Sequence, residues 1–521
     1  MTALSRRTLR LAIPAAMLMG AARAPSPARA AEPEASALST SPVCADCNLI
    51  MISLSNVGAG RMSLFGYPRK TTPQLDRFAE HAVAFENAFT HASWTLPVGV
   101  SLFTSMYPYS HQVLRRLLKN ALPADVKTLP EVLRDHGYRT AAFTGGLDYY
   151  VGFSHMRGFQ DTKDNKDFSG FRTTLPEARS WLAKNSKHKF MLFIHGYDAH
   201  CPFNPEKPFK GTFSDPTGKN ITVDITRCVR GFANSKDFSA SYAGGCSAFR
   251  EKCPTAEEEV RLTKDDVDYL SDLYDDKVFQ VDTLVGGFLG ALSPETLKKT
   301  IVVVFSDHGE MFEKHGRFGR AGAVRGTHHD DVLHVPLIMR FPDGKAMRVS
   351  GLVQMIDVMP TLLHALGVPA PPTIEGKDLA PLLSTGAAVN PYVYSGATYN
   401  YEALQSSRTA KYPYWTRAES IRDLHWKLIR EASFDPKTVK NAHQRHLRGV
   451  GPPLFETFEL YDIQADPEEL VNTADAHPEV TKDLSAKLQS WVQKCASVGS
   501  RPAASKIPEK LLKAARERGY W

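Results

Sequence analysis

Cysteine is scarce in this chain, with seven in 521 residues, and tryptophan scarcer, with six. At this length a large apolar core can hold the fold without a dense disulfide framework. No internal repeat is apparent, and after residue 30 no apolar run is long enough to cross a bilayer, so a bundle of membrane helices is excluded. Strong charge of one sign is also missing. The formal charge is +7, but Arg6, Arg7, Arg10, Arg23 and Arg29 fall in the first thirty residues, where there is no acid, and taking those five away leaves +2. Nucleic acid is therefore not an expected partner. What remains is an ordinary globular composition, 43% hydrophobic and 23% charged, long enough for two or three domains.

Residues 1–30 read as a signal peptide. Ser5-Arg6-Arg7-Thr8-Leu9-Arg10 opens a positive region, Leu11 to Ala22 is a short apolar core, and Ala28-Arg29-Ala30 is a small-residue cleavage site. The paired arginines suggest twin-arginine export in a bacterium, giving a periplasmic or secreted protein with no integral membrane segment in the mature chain. A membrane anchor is the alternative, although an apolar stretch of about a dozen residues is too short to span.

Residues 31–47 form a linker that ends in the Cys44-x-x-Cys47 pair. Cys201, Cys228, Cys246 and Cys253 lie in or beside a polar insertion at about 204–262, where a covalent staple would offset the lack of apolar content. A zinc site competes with the disulfide there, though no histidine has finger spacing, and the pairing is left open.

Asn48 to Leu54, Arg139 to Thr144, Phe190 to His195 and Val335 to Arg340 read as strands. Helical segments separate them: one opening at Thr72-Pro73, then Thr128 to His136, Thr174 to Lys184, and Lys264 to about Leu292. Another helix follows Asp357 and is stopped by Gly367 and Pro369. The alternation predicts an α/β domain over 48–375, with a mostly parallel central sheet and helices on both faces. From 376 to 521 shorter segments suggest a smaller α+β subdomain closed by helices at Leu484 to Trp491 and Lys506 to Arg518.

Two stretches carry chemistry. Val303-Val304-Phe305 runs straight into Ser306-Asp307-His308-Gly309-Glu310. A short run of this kind reads as a buried parallel strand, and ligands of open α/β sheets sit beyond the carboxyl ends of strands, so Asp307 and His308 are candidate metal ligands. An ordinary strand-to-turn exit is the alternative. In Ser93-Trp94-Thr95-Leu96-Pro97-Val98-Gly99, Pro97 fixes a turn ahead of an apolar helix whose start favours an anion. The Thr95 hydroxyl there either attacks phosphorus or sulfur beside a metal, or simply caps the helix.

Taken in order, these stretches resemble the sulfatase family of the alkaline phosphatase-like superfamily. The resemblance is carried by Asn48 to Leu54 with Phe65-Gly66-Tyr67, Thr72-Pro73-Gln74-Leu75-Asp76, Phe85-Glu86-Asn87-Ala88-Phe89 and Thr95-Leu96-Pro97. It continues through His195 to Phe203, Ser306 to Glu310 with His315-Gly316, His334 to Ile338, Ile356 to Leu363, Glu459 to Asp462 and Asp466 to Glu469. It implies an alkaline phosphatase-like fold and a metal-dependent hydrolase of sulfuric or phosphoric esters, acting on a small molecule or a glycan. Residue by residue, Thr95 falls on the nucleophile, and Asp307, His308 and Asn56 on the metal site. His200 and His315 fall on histidines at the transferred group or leaving oxygen, and Arg325 on a cation that binds its anionic oxygens. Arg325 could instead form a structural ion pair with Asp330 or Asp331. One divalent cation is implied, calcium by family preference, with magnesium, manganese or zinc possible.

The departures are specific. Formylglycine-using sulfatases need Cys or Ser where this chain has Thr95, and Arg where it has Gly99, so formylglycine is not expected. Ser55-Asn56 stands where a metal-binding Asp is usual, and Gly60 replaces a further acid. The implied alternative is an inactive sulfatase-fold binding protein. A phosphoryl-group transferase is a third reading, set against by the lack of the several membrane helices its relatives carry.

Overall fold

The computed structural model describes residues 44–114, 120–165, 169–219, 221–226, 228–234, 237–242, 259–319, 327–399, 415–434, 453 and 455–498. The expected signal peptide, Cys246, Cys253, Arg325 and the helix expected at Lys506 to Arg518 lie outside them.

Asn48–Ser53 is buried from Leu49 onward, and a strand apolar on both faces needs cover on both. It receives that cover at the centre of an eight-stranded sheet, paired in parallel with Phe190–His195 on one side and Thr300–Phe305 on the other. Alternate side chains enter opposite cores. Leu49, Met51, Met191, Phe193, Val303 and Phe305 face one core with the helices Leu129–Asp135 and Val358–Ala365. Ile50, Ile52, Leu192, Ile194, Val302 and Val304 face the other, with Phe171–Asn185 and Lys264–Leu289. Arg139–Gly145 and Asp161–Asn165 extend the parallel sheet beyond Phe190–His195. On the far side Leu337–Arg340 runs antiparallel to both its neighbours, Thr300–Phe305 and Val83–Phe89, and Met347–Gln354 closes the edge. The expected mostly parallel α/β sheet is therefore the observed one.

A second, antiparallel sheet has the order Val393–Tyr399, Trp415–Arg422, Trp426–Phe434, Phe455–Asp462, with the helix Pro478–Val498 packed on it. The helix Thr95–Thr104 joins the two sheets. Leu102 and Phe103 enter the core of the large sheet, whereas Leu96, Val98 and Val100 pack with Ile421, Leu428, Leu488 and Trp491. All ten of its residues are buried.

Three expectations need correction. Residues 204–262 are not merely irregular: Val229–Asn234, Asp237–Tyr242 and Glu259–Arg261 form an antiparallel sheet completed by Arg317–Phe318. Their Gly- and Ser-rich sequence hid strands whose pairing partner comes from far along the chain. The helix expected from Thr174 begins three residues earlier, at Phe171, and so carries Pro176 in its interior, where the missing N–H forgoes one helical hydrogen bond. Thr72 does not bond the backbone of the helix Pro73–Ala79. Its hydroxyl donates to Asp76 Oδ1 at 3.0 Å, and Asp282 of the long helix accepts the N–H groups of Gln74 and Leu75 at 2.9 and 2.8 Å.

Candidate active site

Register decides where the polar residues gather. Ser53 pairs with His195 on one side and Phe305 on the other, so three strands end in step and the next residues of each meet. Those residues are Ser55-Asn56, the loop Gly196 to Cys201, and Ser306-Asp307-His308.

Ser55 and Asn56 both take left-handed backbone angles, φ 53° and 59°, uncommon for residues other than glycine. Such a turn persists only if its surroundings hold it. Tyr274 donates its hydroxyl to the Asn56 carbonyl at 2.7 Å, Ser306 Oγ accepts from Val57 N at 2.9 Å, and Asn56 N donates to Asp307 Oδ1 at 2.9 Å. Asn56 Nδ2 donates to Ala199 O at 3.0 Å and to Glu310 Oε2 at 3.1 Å. Both amide protons are thus engaged and Asn56 Oδ1 is left facing inward. Among the described residues, Asn56 Oδ1, Ser55 Oγ and Asp307 Oδ2 are buried with no hydrogen-bond partner.

Three partnerless oxygens on adjoining loops are a donor set for a hard cation, which needs several oxygens at short range. His308 adds nitrogen. Its Nδ1 lies 3.0 Å from the Gly309 carbonyl and donates to it, which leaves Nε2 as the ring atom turned to the site. Nε2 is 3.2 Å from Thr95 Oγ1 and 3.4 Å from Asp307 Oδ2. Burial would raise the Asp307 carboxyl, but the adjacent His308 ring and the Asn56 N–H hold it below its ordinary value. Asp307, His308 and Asn56, far apart in sequence, are brought together as a set that fits one divalent cation.

Thr95 is not the helix cap. Trp94 occupies the N-cap position with extended angles, Thr95 is the first helical residue, and its hydroxyl turns away from the backbone to His308. The capping alternative is thereby removed. His200 stacks on Tyr197, with ring centroids 4.3 Å apart, and its Nδ1 donates to the Cys201 carbonyl at 2.7 Å. Its neighbour Ala199 is the residue that binds Asn56. Cys201 is disulfide-bonded to Cys228, as Cys44 is to Cys47. His200, Cys201 and Cys228 are close enough to share a metal, but the sulfurs are taken by the disulfide, and the zinc alternative gives way to the staple.

His315 is placed elsewhere. It stacks on His329 at 3.6 Å and, with Tyr461 and Glu459 of the antiparallel sheet, forms a separate cluster. Burial pushes its imidazole below the ordinary value. The two acids considered as ion-pair partners of Arg325 are engaged by other cations. Asp330 is held by Arg422 and, at 2.6 Å, by Lys427, and Asp331 lies 3.1 Å from Lys314.

Four residues without a role in the sequence reading also line or support this place. His195, at its strand end, is driven to about 4 by burial, so its ring is neutral. Glu310 and Tyr274 brace the Asn56 turn. Tyr149 fills the space beside Gly99, where a Cβ would fall 2.8 Å from its Cε1. A polar residue closing an apolar strand could have marked His195; nothing local in the sequence marks the others.

Comparison with known proteins places these observations in a family. The family model described as Sulfatase matches residues 47–368, and one described as N-sulphoglucosamine sulphohydrolase, C-terminal, matches 325–440. The chain is 24% identical over 503 residues to arylsulfatase K of Xenopus laevis, covering 88% of this chain and 84% of that protein. It is 24% identical over 475 residues to human arylsulfatase A, with 84% and 86% covered. Among solved structures, the phosphonate monoester hydrolase of Agrobacterium radiobacter superposes with a TM-score of 0.62 at 18% identity, covering 86% of this chain and 96% of that one. A 2-O GAG sulfatase gives a TM-score of 0.60 at 20% identity, with 91% and 97% covered.

Proposed function

Because this chain belongs to the sulfatase family, we propose that it is an exported, metal-dependent hydrolase of a sulfuric ester that uses Thr95 as nucleophile. The observation that carries this reading is the 3.2 Å contact of Thr95 Oγ1 with His308 Nε2 beside the partnerless oxygens of Asn56, Ser55 and Asp307. Asp307, His308 and Asn56 would hold one divalent cation: calcium, magnesium, manganese or zinc. A cation bound there would supply a lower pKa to a neighbouring hydroxyl and a counter-charge to the ester group.

The chain's own residues supply the rest. Thr95 Oγ releases its proton to solvent and bonds to sulfur as the bond from sulfur to the ester oxygen breaks, and His200 gives the departing oxygen a proton that it regains from the water of the second step. A threonine side chain cannot be converted to formylglycine, so the threonine sulfate is cleared by water, which restores the hydroxyl and releases sulfate. Arg325, by the family resemblance, would contact the substrate around this centre. A small-molecule or glycan sulfate fits the family, and a phosphoric or phosphonic ester is the close chemical alternative, suggested by the fold shared with a phosphonate monoester hydrolase.

Export is supported by the two disulfides, which suit an oxidising compartment, and by the leader-like first thirty residues. No helix among the described residues is long and apolar enough to cross a membrane.

The second reading, a sulfatase fold kept for binding, draws on a specific feature. Of the proposed ligands only Asp307 brings a formal charge, and neutral oxygens hold a cation more weakly. Elemental analysis of the mature protein with Asp307→Asn as control, run beside turnover of aryl sulfates, phosphates and phosphonates by wild type and Thr95→Ala, decides between them. One metal per chain and turnover that requires Thr95 support the enzyme. No metal and no turnover leave the binding protein.

A further inference from the structure

We propose that the Tyr149 hydroxyl donates a hydrogen bond to a non-bridging oxygen of the ester group that Thr95 attacks, and is thus a further substrate-binding residue of this site. The inference rests on the nucleophile reading above, and its evidence is separate.

Gly99 lies four residues after Thr95 on one helix, so the two positions share a face. A Cβ at residue 99 would lie 2.8 Å from Tyr149 Cε1 and 3.0 Å from its hydroxyl oxygen. The phenol therefore ends on the Thr95 face, about one turn along. Its ring is wedged against His195 at 4.6 Å and Phe193 at 5.0 Å, at the strand end that pairs with Ser53. Tyr149 follows the strand Arg139–Gly145, so it reaches the site from the same carboxyl edge of the sheet as the proposed ligands.

Tyr149 is fully buried, and its oxygen has no hydrogen-bond partner among the described residues. Ser53 Oγ lies close to the phenol and is likewise without a partner. Leaving a buried hydroxyl unpaired is costly, and the cost is recovered when a ligand brings the missing partner. A cation at Asp307, His308 and Asn56 satisfies the three oxygens but offers nothing to a phenol O–H, which needs an acceptor. The oxygens of a tetrahedral anion held between that cation and Thr95 are such acceptors. Residue 99 can then be glycine because the donor arrives from another element: any side chain there would displace the phenol.

The test is binding of inorganic sulfate, with inorganic phosphate alongside, to metal-loaded wild type, Tyr149→Phe and Thr95→Ala by calorimetry. Phenylalanine keeps the ring and its packing, so the melting temperature should stay close to wild type while the sulfate Kd rises about 10- to 100-fold. Thr95→Ala should bind sulfate about as wild type does while losing turnover. Unchanged sulfate and phosphate binding in Tyr149→Phe would make the phenol a packing residue and overturn the inference, as would a wild type that binds neither anion. Normal turnover by Thr95→Ala would sink the nucleophile reading instead, which keeps the two failures apart.

Discussion

Thr95 Oγ1 and His308 Nε2 lie 3.2 Å apart across 213 residues of sequence. The contact joins the start of a helix to the end of the central strand, and no helix-capping role explains it. Thr95→Ala should abolish ester turnover, on the order of 10³-fold or more, with little change in melting temperature. Thr95→Ser keeps a hydroxyl and should retain measurable activity. Equal turnover by Thr95→Ala and wild type on every ester hydrolysed would refute the assignment.

Restoring charge to the proposed cation site should strengthen it. Ser55→Asp adds a carboxylate where a buried, partnerless Oγ now stands, and the left-handed angle of residue 55 is one Asp tolerates. Its metal affinity, read by competition with a chromogenic chelator, should rise about tenfold or more. Asn56→Asp should behave differently. It removes the donors to Ala199 O and Glu310 and sets a second acid against Glu310, costing roughly 1–3 kcal/mol for each acceptor left unpaired before metal is added.

Gly99→Ala should destabilise the protein by about 1–3 kcal/mol, because the new methyl would overlap Tyr149 in a closed core. In Gly99→Ala/Tyr149→Ala the methyl meets no ring. Urea unfolding should then show the double variant more stable than the sum of the single losses, a signature of direct contact.

Acid should loosen the helix that carries Thr95. His111 Nδ1 accepts from Val113 N at 3.0 Å, and its Nε2 faces the Pro97 carbonyl at 3.3 Å, so there is no place for a second proton. Burial drives its imidazole down to about 3, against an unfolded value near 6.5. Because the folded value is the lower one, its contribution is complete above about pH 6.5 and is lost as pH falls toward 3. Wild type should take up a proton at His111 on unfolding in this window, and His111→Gln should flatten the dependence of unfolding free energy on pH by up to about 1.4 kcal/mol per unit. An unchanged slope in the variant would argue against it.

The disulfide Cys201–Cys228 closes a separation of 27 residues around a strand-poor segment. Cys201→Ser/Cys228→Ser should lower stability by about 3–4 kcal/mol on the chain-entropy estimate, measured by urea unfolding of oxidised samples. A loss well under 1 kcal/mol would show that the insertion is held by its contacts alone.

The central strands were legible because their signal is local. Val303-Val304-Phe305 and Leu49 to Ile52 are apolar on both faces, and only a doubly covered sheet accommodates that pattern. Asp307 and His308 stood out for a related reason, as polar residues directly after such a strand, whereas Asn56 was indicated only by the family resemblance. Tyr149 and Tyr274 were not, because their hydroxyls matter only through backbone and helix positions remote in sequence. The strands within 204–262 escaped notice because Gly, Ser and Asn are poor strand formers, and their sheet is completed by Arg317–Phe318. His315 shows the converse: a motif gave it a site role, and the fold seats it on His329.

The helix Thr95–Thr104 has no exposed residue and belongs to two cores at once. It therefore has no surface from which to fray, and the proposed nucleophile has no separate melting step. Heating should leave few molecules that are folded but inactive: residual activity and the tertiary circular-dichroism signal should trace one curve, and an inactivated sample should also be an unfolded one.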